Sequence, residues 1–494
     1  MRITSLTIAG FKGIAQKATL PLAPITLFFG ANSTGKSTVL HALLYLYEVI
    51  AKRNFDPQYS SIAGEQLYFG GFHNLVHGKN LNGTITLGAT LDFRDGAVDV
   101  WDDYISDSER WLLEKHLGFT PDSTTDLFSF EVDIKWDNLK KRVFISRFEC
   151  SSKGRTYLKF ETRAGKPDSD ITFYEALPDW RVEDAFQIEN VFHTGQWEPI
   201  PIQANDALPD INKRLELAQV PFNWDDVVPE NPLAGLLFAE ATLSQASLAP
   251  LKLLAKKLKS LLHIGPLRVV PNRAFVLNRQ STTDRWYNGT AGWEQFGFGS
   301  ESLQNKVNRV FHGAENLDTG YYFSAAEYGE EPHKEKRVYL TEAGSELSLL
   351  PTEVGVGISQ VFPFVVAACL DNSPIISCEQ PELHVHPRWQ LCLSDMMLRA
   401  CNQDKARMFL VETHSEHLML RLLKRRRQTA ESECEGGEIL PDQELSCLKQ
   451  DIQIIFCEQE AGRTRLMPIK TTDEGEFDAP WPNGFFNERR KELF

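Results

Sequence analysis

Gly30-Ala31-Asn32-Ser33-Thr34-Gly35-Lys36-Ser37 is the stretch whose residue types and spacing bear most directly on chemistry. It fits G-x-x-x-x-G-K-[ST] at every position, a pattern in which backbone N–H groups and one lysine surround a polyphosphate. Lys36 is expected to reach the β- and γ-phosphates of a nucleoside triphosphate, and the Ser37 hydroxyl to hold Mg2+. Gly30, Asn32, Ser33, Thr34, Gly35 and Thr38 complete the candidate cradle. The pattern needs a strand before it and a helix after it. Ile25-Thr26-Leu27-Phe28-Phe29 supplies the strand, and Val39, Leu40, Leu43, Leu44, Tyr47 and Ile50 recur at helical spacing.

A second cluster runs from 353 to 416. Gly355 and Gly357, followed by Ser359, open an apolar segment from Val361 to Leu370 that reads as a helix with Pro363 in its first turn. Such a helix start offers N–H groups to an anion. Pro374 to Cys378 reads as a short strand running into Glu379-Gln380-Pro381-Glu382. A carboxylate at the end of a buried strand can hold the water shell of Mg2+, which makes Glu379 the second metal candidate beside Ser37. His384 and His386 stand two apart with no third zinc ligand at fitting spacing. Pro387 then begins a helix, and Arg407 to Glu412 reads as a strand ending at Thr413-His414-Ser415, where His414 is placed for a γ-phosphate contact.

The elements that must position these groups frame them. Residues 1–29 hold two or three strands, and Thr84 to Leu87 reads as another. Leu251, Leu254, Leu258, Leu261 and Leu262 form one helical stripe among lysines, about four turns long and without sustained heptads. Asp168-Ser169-Asp170 reads as a solvated turn. Lys424 to Arg427 reads as a basic helix end, Glu431 to Glu444 as a linker, and Asp451 to Ile469 as two strands of a small terminal unit. The boundaries expected are 1–95 and 261–428 for two halves of a nucleotide-binding core, 96–260 for an inserted α+β lobe, and 429–494 for the linker and terminal unit.

With 494 residues, 42% of them hydrophobic, the chain can bury a large core. A net charge of −15 argues against a surface that coats nucleic acid, though a local basic patch could bind DNA or RNA. Eight scattered cysteines imply neither a zinc site nor a disulfide framework and suit a reducing cytoplasm. The N-terminus shows no signal-peptide core, and the longest apolar run is too short for a bilayer. A cytoplasmic protein with no membrane partner is expected.

The order of these motifs resembles the ABC-type ATPases of the SMC/RecF/OLD group. The likeness is strongest to stand-alone bacterial AAA-family ATPases with a DUF3696-type C-terminal end, through Glu379 to Pro387, Glu412 to His417 and Trp481-Pro482-Asn483-Gly484-Phe485-Phe486. It covers 1–90 and 261–494. The resemblance implies an α/β fold, an ABC-type ATPase head with a mixed sheet and flanking helices, and a head-to-tail homodimer or a higher assembly of dimers. ATP held by one copy would be covered by Gly355, Gly357 and Ser359 of the other. It also places Glu379 at the Walker B position and His414 at the switch histidine. Gln380 stands where such enzymes usually carry a general-base glutamate; an amide can orient water without taking its proton, and Glu382 is the alternative base. Hydrolysis is therefore expected to be slow.

Glu458 and Glu460 have no D-x-D after them, so no nuclease of the chain's own is expected. The leading function is a slow ATPase switch in a Septu-like or retron-associated antiviral system, acting through a separate effector nuclease. The alternatives are a RecF- or SMC-like DNA-repair ATPase and a scaffold that binds ATP without hydrolysing it.

Overall fold

The computed structural model describes residues 1–94, 104–117, 126–165, 168–175, 177, 199–202, 206–217, 232–272, 277, 283–313, 316–330, 335–345, 347–433 and 442–482. The strands in chain order are β1 (Arg2–Ala9), β2 (Ala18–Pro21), β3 (Ile25–Phe29), β4 (Tyr59–Ser60), β5 (Gly64–Tyr68), β6 (Ile85–Asp92), β7 (Leu127–Asp137), β8 (Arg142–Ser152), β9 (Arg155–Thr162) and β10 (Ser169–Tyr174). They continue with β11 (Ile200–Ile202), β12 (Leu261–Ile264), β13 (Tyr321–Tyr328), β14 (Glu335–Glu342), β15 (Ser348–Leu349), β16 (Ile375–Glu379), β17 (Met408–Glu412), β18 (Ile452–Glu460) and β19 (Arg463–Ile469). The helices are α1 (Lys36–Lys52), α2 (Gly71–Leu75), α3 (Asp107–Leu117), α4 (Pro232–Leu258), α5 (Thr290–Phe298), α6 (Glu301–His312), α7 (Val356–Cys369), α8 (Pro387–Gln403) and α9 (Glu416–Glu433). They divide between two compact units: Met1–Leu20, Tyr45–Gln58 and Phe69–Lys259 form one, and Pro21–Leu44, Tyr59–Tyr68 and Ser260–Phe494 the other.

The first unit is built on a sheet ordered β11-β10-β9-β8-β7-β6-β1-β2, which takes strands from both sides of residue 95. Strand β7 alternates from Leu127 to Lys135, so Phe128, Phe130, Val132 and Ile134 are buried on one face. Across the sheet Phe130, Phe148 and Phe160 follow at centroid spacings of 6.2 and 5.9 Å. Helix α4 lies on the apolar side, where Tyr157 donates its hydroxyl hydrogen to the Ala246 carbonyl at 2.8 Å. The opposite face carries charge: Arg147 bridges Asp133, Glu131 and Glu149. Two expectations are corrected here. Ser169 and Asp170 pair with Thr162 and Glu161 inside β10 rather than forming a turn. Leu261 and Leu262 belong to β12, because α4 ends at Leu258 and the chain turns at once into a buried strand.

The second unit holds a mixed sheet ordered β12-β16-β17-β3-β18-β19, parallel except for the β18–β19 hairpin. Every residue of β3, β16 and β17 is buried, which explains their continuous apolar runs: parallel strands covered on both faces have no solvent side to alternate toward. The hairpin read as a terminal unit instead extends the sheet that carries the glycine-rich loop, with β18 paired to β3. Helix α7 starts at Val356, so Pro363 lies in its interior rather than its first turn. Close packing accommodates the proline, since a Cβ on Gly292 would come within 2.7 Å of Pro363 Cα. Beside it Trp293 and Phe362 stack at 3.9 Å in the centre of the core.

The basic run from Lys424 to Arg427 lies in the interior of α9, which continues to Glu433, rather than at a helix end, and most of it is consumed inside this unit. Arg421 and Arg425 pair with buried Asp395, Arg426 is itself buried and donates to Thr471 Oγ1 at 2.5 Å, and Arg427 donates to the Glu474 carbonyl. Of the linker from Glu431 to Glu444, residues 434–441 lie outside the described residues, as do 483–486 of the closing motif. The architecture is α/β, with helices flanking a mixed sheet, and contains no long coiled coil among the described residues. No described helix is long and apolar enough to cross a membrane.

Candidate functional site

Strand β3 ends in the core and delivers the chain to Gly30, where the loop turns back before α1. Gly30 has φ 149°, and a Cβ there would come within 2.2 Å of the Cys457 carbonyl oxygen, so no side chain fits. Ala31, Asn32 and Ser33 are exposed at the tip, with Ser33 in the left-handed region at φ 64°. Thr34 donates to the Ala31 carbonyl at 2.8 Å and closes the turn. The Lys36 side chain is buried and curls over the loop, donating to the carbonyls of Gly30 at 3.0 Å and Ala31 at 2.9 Å. Burial pulls its ammonium below the usual lysine range, while Glu412, 3.8 Å away, opposes that shift. Thr38 donates its backbone N–H to Gly35 in the first turn of α1.

Three carboxylates gather where β16 and β17 end. Glu412 accepts the Ser37 hydroxyl hydrogen at 2.6 Å. Burial raises the Glu412 carboxyl, Ser37 and Lys36 lower it, and Glu379 and Glu382 raise it further. Glu382 Oε1 accepts the His414 backbone N–H at 2.7 Å, and burial pushes that carboxyl up as well. Its Oε2 is buried without a hydrogen-bond partner. Glu379 faces elsewhere: its Oε1 lies 3.3 Å from His263 Nε2 and 3.7 Å from His41 Nε2. Burial raises its carboxyl, but the two imidazoles outweigh this and hold it down at about 2.

Gln380 stands at the turn after β16 with φ 47°, held by its N–H to the Glu412 carbonyl at 2.8 Å. His414 is half-buried, and burial together with Lys36 lowers the pKa of its imidazole. Its Nε2 is buried without a hydrogen-bond partner. The loop therefore meets an acid from the adjacent strand β17, while the acid from β16, one strand further out, is occupied by histidines.

Residues 1–160 match the family described as AAA ATPase domain. The matched stretch contains the whole loop from Gly30 to Ser37 and supports an ATPase of the AAA type. No curated protein matches the sequence. Among solved structures the chain is similar to an SmcHead bound to the C-winged helix domain of ScpA, at 10% identity over 95% of this chain and 98% of that one, TM-score 0.41. It is similar to the SMC head domain from Thermotoga maritima at 9% identity, over 95% and 100%, TM-score 0.37. A third is an Smc head domain with an extended coiled coil bound to the C-terminal domain of ScpA, derived from Pyrococcus furiosus, at 13% identity, over 95% and 96%, TM-score 0.38.

The glycine-rich stretch at 355–359 lies in the same unit as the loop from Gly30 to Ser37. Gly355 caps α7 and is exposed with Val356, whereas Gly357 packs so that a Cβ would meet the His384 carbonyl at 2.6 Å. Ser359 differs from its neighbours: it is fully buried, and its Oγ has no hydrogen-bond partner. His386 caps α8 through Nδ1, and among the described residues neither it nor His384 joins a group of metal-ligating side chains.

Four residues of the site were not among the candidates read from the sequence. Glu412 had a visible signal, an acid at the end of an apolar strand, the same feature that marks Glu379. His41, His263 and Arg268 had none. Arg268 is buried and donates to the carbonyls of Glu379 at 2.6 Å and Gln360 at 3.0 Å, while Gln360 Nε2 donates back to the Arg268 carbonyl at 2.8 Å. The start of α7 and the end of β16 are thereby tied to one guanidinium.

Proposed function

We propose that this chain is an ABC-type ATPase that closes on ATP as a homodimer, hydrolyses it slowly, and works as a nucleotide switch. In this reading it is the ATPase subunit of a prokaryotic anti-phage defence system that controls a separate effector nuclease. The observation that carries it is the meeting of Lys36, Ser37 and Glu412 beside a second acidic strand end, with Gln380, Glu382 and His414 on the loops that leave the two strands. Lys36 and the loop amides bind the phosphates. Ser37 and Glu412 supply hard oxygen donors that suit Mg2+, which would neutralise phosphate charge, and Glu379 would join them on turning from His263 and His41.

Gln380 orients water without taking its proton, and Glu382, whose carboxyl is already raised, is the available base. His414 touches the γ-phosphate. The exposed start of α7, at Gly355 and Val356, together with Gly357, covers the nucleotide of a second copy, while Ser359 supports that turn from inside. The defence role rests on the order of motifs along the chain. A RecF- or SMC-like DNA-binding ATPase is equally consistent with the fold; of the cationic residues of α9, Arg421, Arg425 and Arg426 are engaged within the chain, while Lys424 and Arg427 are exposed.

Light scattering with and without ATP, combined with phosphate release, tests the switch. The expected result is ATP-dependent doubling of mass and slow turnover, both lost in Lys36→Ala. Saturation with ATP at unchanged mass would overturn the dimer switch. Phage challenge of cells carrying the chain alone or with its neighbouring gene tests the division of labour, which protection by the chain alone would refute.

A further inference from the structure

His41, His263 and Glu379 come from α1, β12 and the end of β16, and their ligand atoms all lie within 4.8 Å of one another. Strands β12 and β16 run parallel with His263 opposite Ser377, which puts Glu379, two residues on, along the same face. His263 is fully buried, and its Nδ1 is 2.9 Å from Ser377 Oγ. A proton on Nδ1 donated to Ser377 leaves Nε2 presenting its lone pair toward the Glu379 carboxylate. Neither His263 Nε2 nor Glu379 Oε1, both buried, makes a hydrogen bond. In that tautomer imidazole lone pairs and a carboxylate converge in a buried place and suit a cation, whereas a Ser377 hydroxyl donating to Nδ1 would instead point an Nε2–H at Glu379.

The cation is either a proton or a metal, and the distances separate the two. A proton shared between imidazolium and carboxylate draws N and O to about 2.7–2.9 Å. The observed separations are 3.3 Å from His263 and 3.7 Å from His41. Ligands at about 2.0–2.1 Å from a tetrahedral metal stand about 3.3–3.4 Å apart along each edge. Two imidazoles and one carboxylate suit a borderline-soft divalent ion, zinc first, in preference to Mg2+ or Ca2+. The Ser377 contact is the kind of outer partner that fixes the tautomer of a ligating histidine.

We propose that His41 Nε2, His263 Nε2 and Glu379 form a binding site for a divalent transition metal of the Zn2+ class, separate from the Ser37–Glu412 pair. Resting on the proposed function, the site has a regulatory consequence: an ion held there engages Glu379 and takes it from the nucleotide, so micromolar Zn2+ slows ATP turnover.

The binding test uses no nucleotide, so it succeeds or fails independently of the ATPase reading. Full-length protein, stripped with a chelator, is titrated with Co2+ and followed by its visible absorption, then with Zn2+ as competitor. One Co2+ per chain with the strong bands of a four- or five-coordinate site is expected, displaced by Zn2+. His41→Gln and His263→Gln should each weaken binding about tenfold or more, while His384→Gln, off the site, should not. Thermal melts check folding; if His263→Gln fails to fold, His41→Gln, at the less buried histidine, decides. No saturable Co2+ signal, or a signal undiminished in His41→Gln, would overturn the site. If metal binds but ATP turnover is insensitive to Zn2+, the regulatory consequence is overturned and the site stands.

Discussion

Arg268→Met removes the guanidinium that ties the start of α7 to the end of β16. Two short bonds are lost, to the Glu379 carbonyl at 2.6 Å and the Gln360 carbonyl at 3.0 Å. Hydrogen bonds to a charged group contribute about 1.5–3 kcal/mol each, giving about 3–6 kcal/mol gross. Against this, Arg268 Nε is already buried without a partner, and removing that group returns about 1–3 kcal/mol. The net expectation is a loss of about 3 kcal/mol, with Arg268→Lys, which keeps charge but reaches fewer acceptors, in between. Urea unfolding followed by tryptophan fluorescence reads the change as a shift in midpoint at constant slope. A shift below about 0.5 kcal/mol, the range of an ordinary surface substitution, would refute the brace. Because the brace positions Gln380 and Glu379 rather than binding nucleotide, kcat should fall in Arg268→Lys with KM nearly unchanged. A rise in KM at constant kcat would show that the residue acts on binding instead.

Gln380→Glu should speed ATP hydrolysis by roughly 10²-fold, the gain commonly supplied by a positioned base, as measured by steady-state phosphate release; flat or lower turnover moves the base to Glu382. Gly30→Ala should abolish ATP binding and destabilise the fold by about 1–3 kcal/mol, because its Cβ would meet the Cys457 carbonyl at 2.2 Å; wild-type binding and melting would contradict that packing. Cys378, Cys401 and Cys457, whose thiols burial pushes up to about 12, should resist alkylation in the native protein at pH 8 and react after denaturation. Rapid labelling of the native chain, read by mass spectrometry, would refute their burial.

Local chemistry was legible in the sequence and lateral placement was not. The loop from Gly30 to Ser37 shows itself because its spacing and flanks lie in one continuous stretch. Strands β16 and β17 were readable as apolar runs ending in acids, since parallel strands buried on both faces must be apolar throughout. What the spacing could not show is which strand neighbours which. That order, β12-β16-β17-β3, is why Ser37 bonds Glu412 while Glu379 turns to His263 and His41. The same blindness hid Arg268, whose partners lie about a hundred residues away. Pro363 was misplaced within its helix because α7 begins at the glycines, five residues before the apolar run that suggested it. Leu261 and Leu262 continued a helical period by coincidence across the turn into β12.

Equilibrium binding of a fluorescent ATP analogue to the wild-type chain and to Lys36→Ala tests the central claim most directly. Lys36 is the cation held over the loop carbonyls and beside Glu412, so its loss removes the fixed positive charge available to the phosphates there. Saturable binding to the wild type that disappears in Lys36→Ala, with the variant's thermal melt unchanged or raised, is the predicted result. Equal affinity of the two proteins, or no saturable binding by either, would contradict a nucleotide site at this loop.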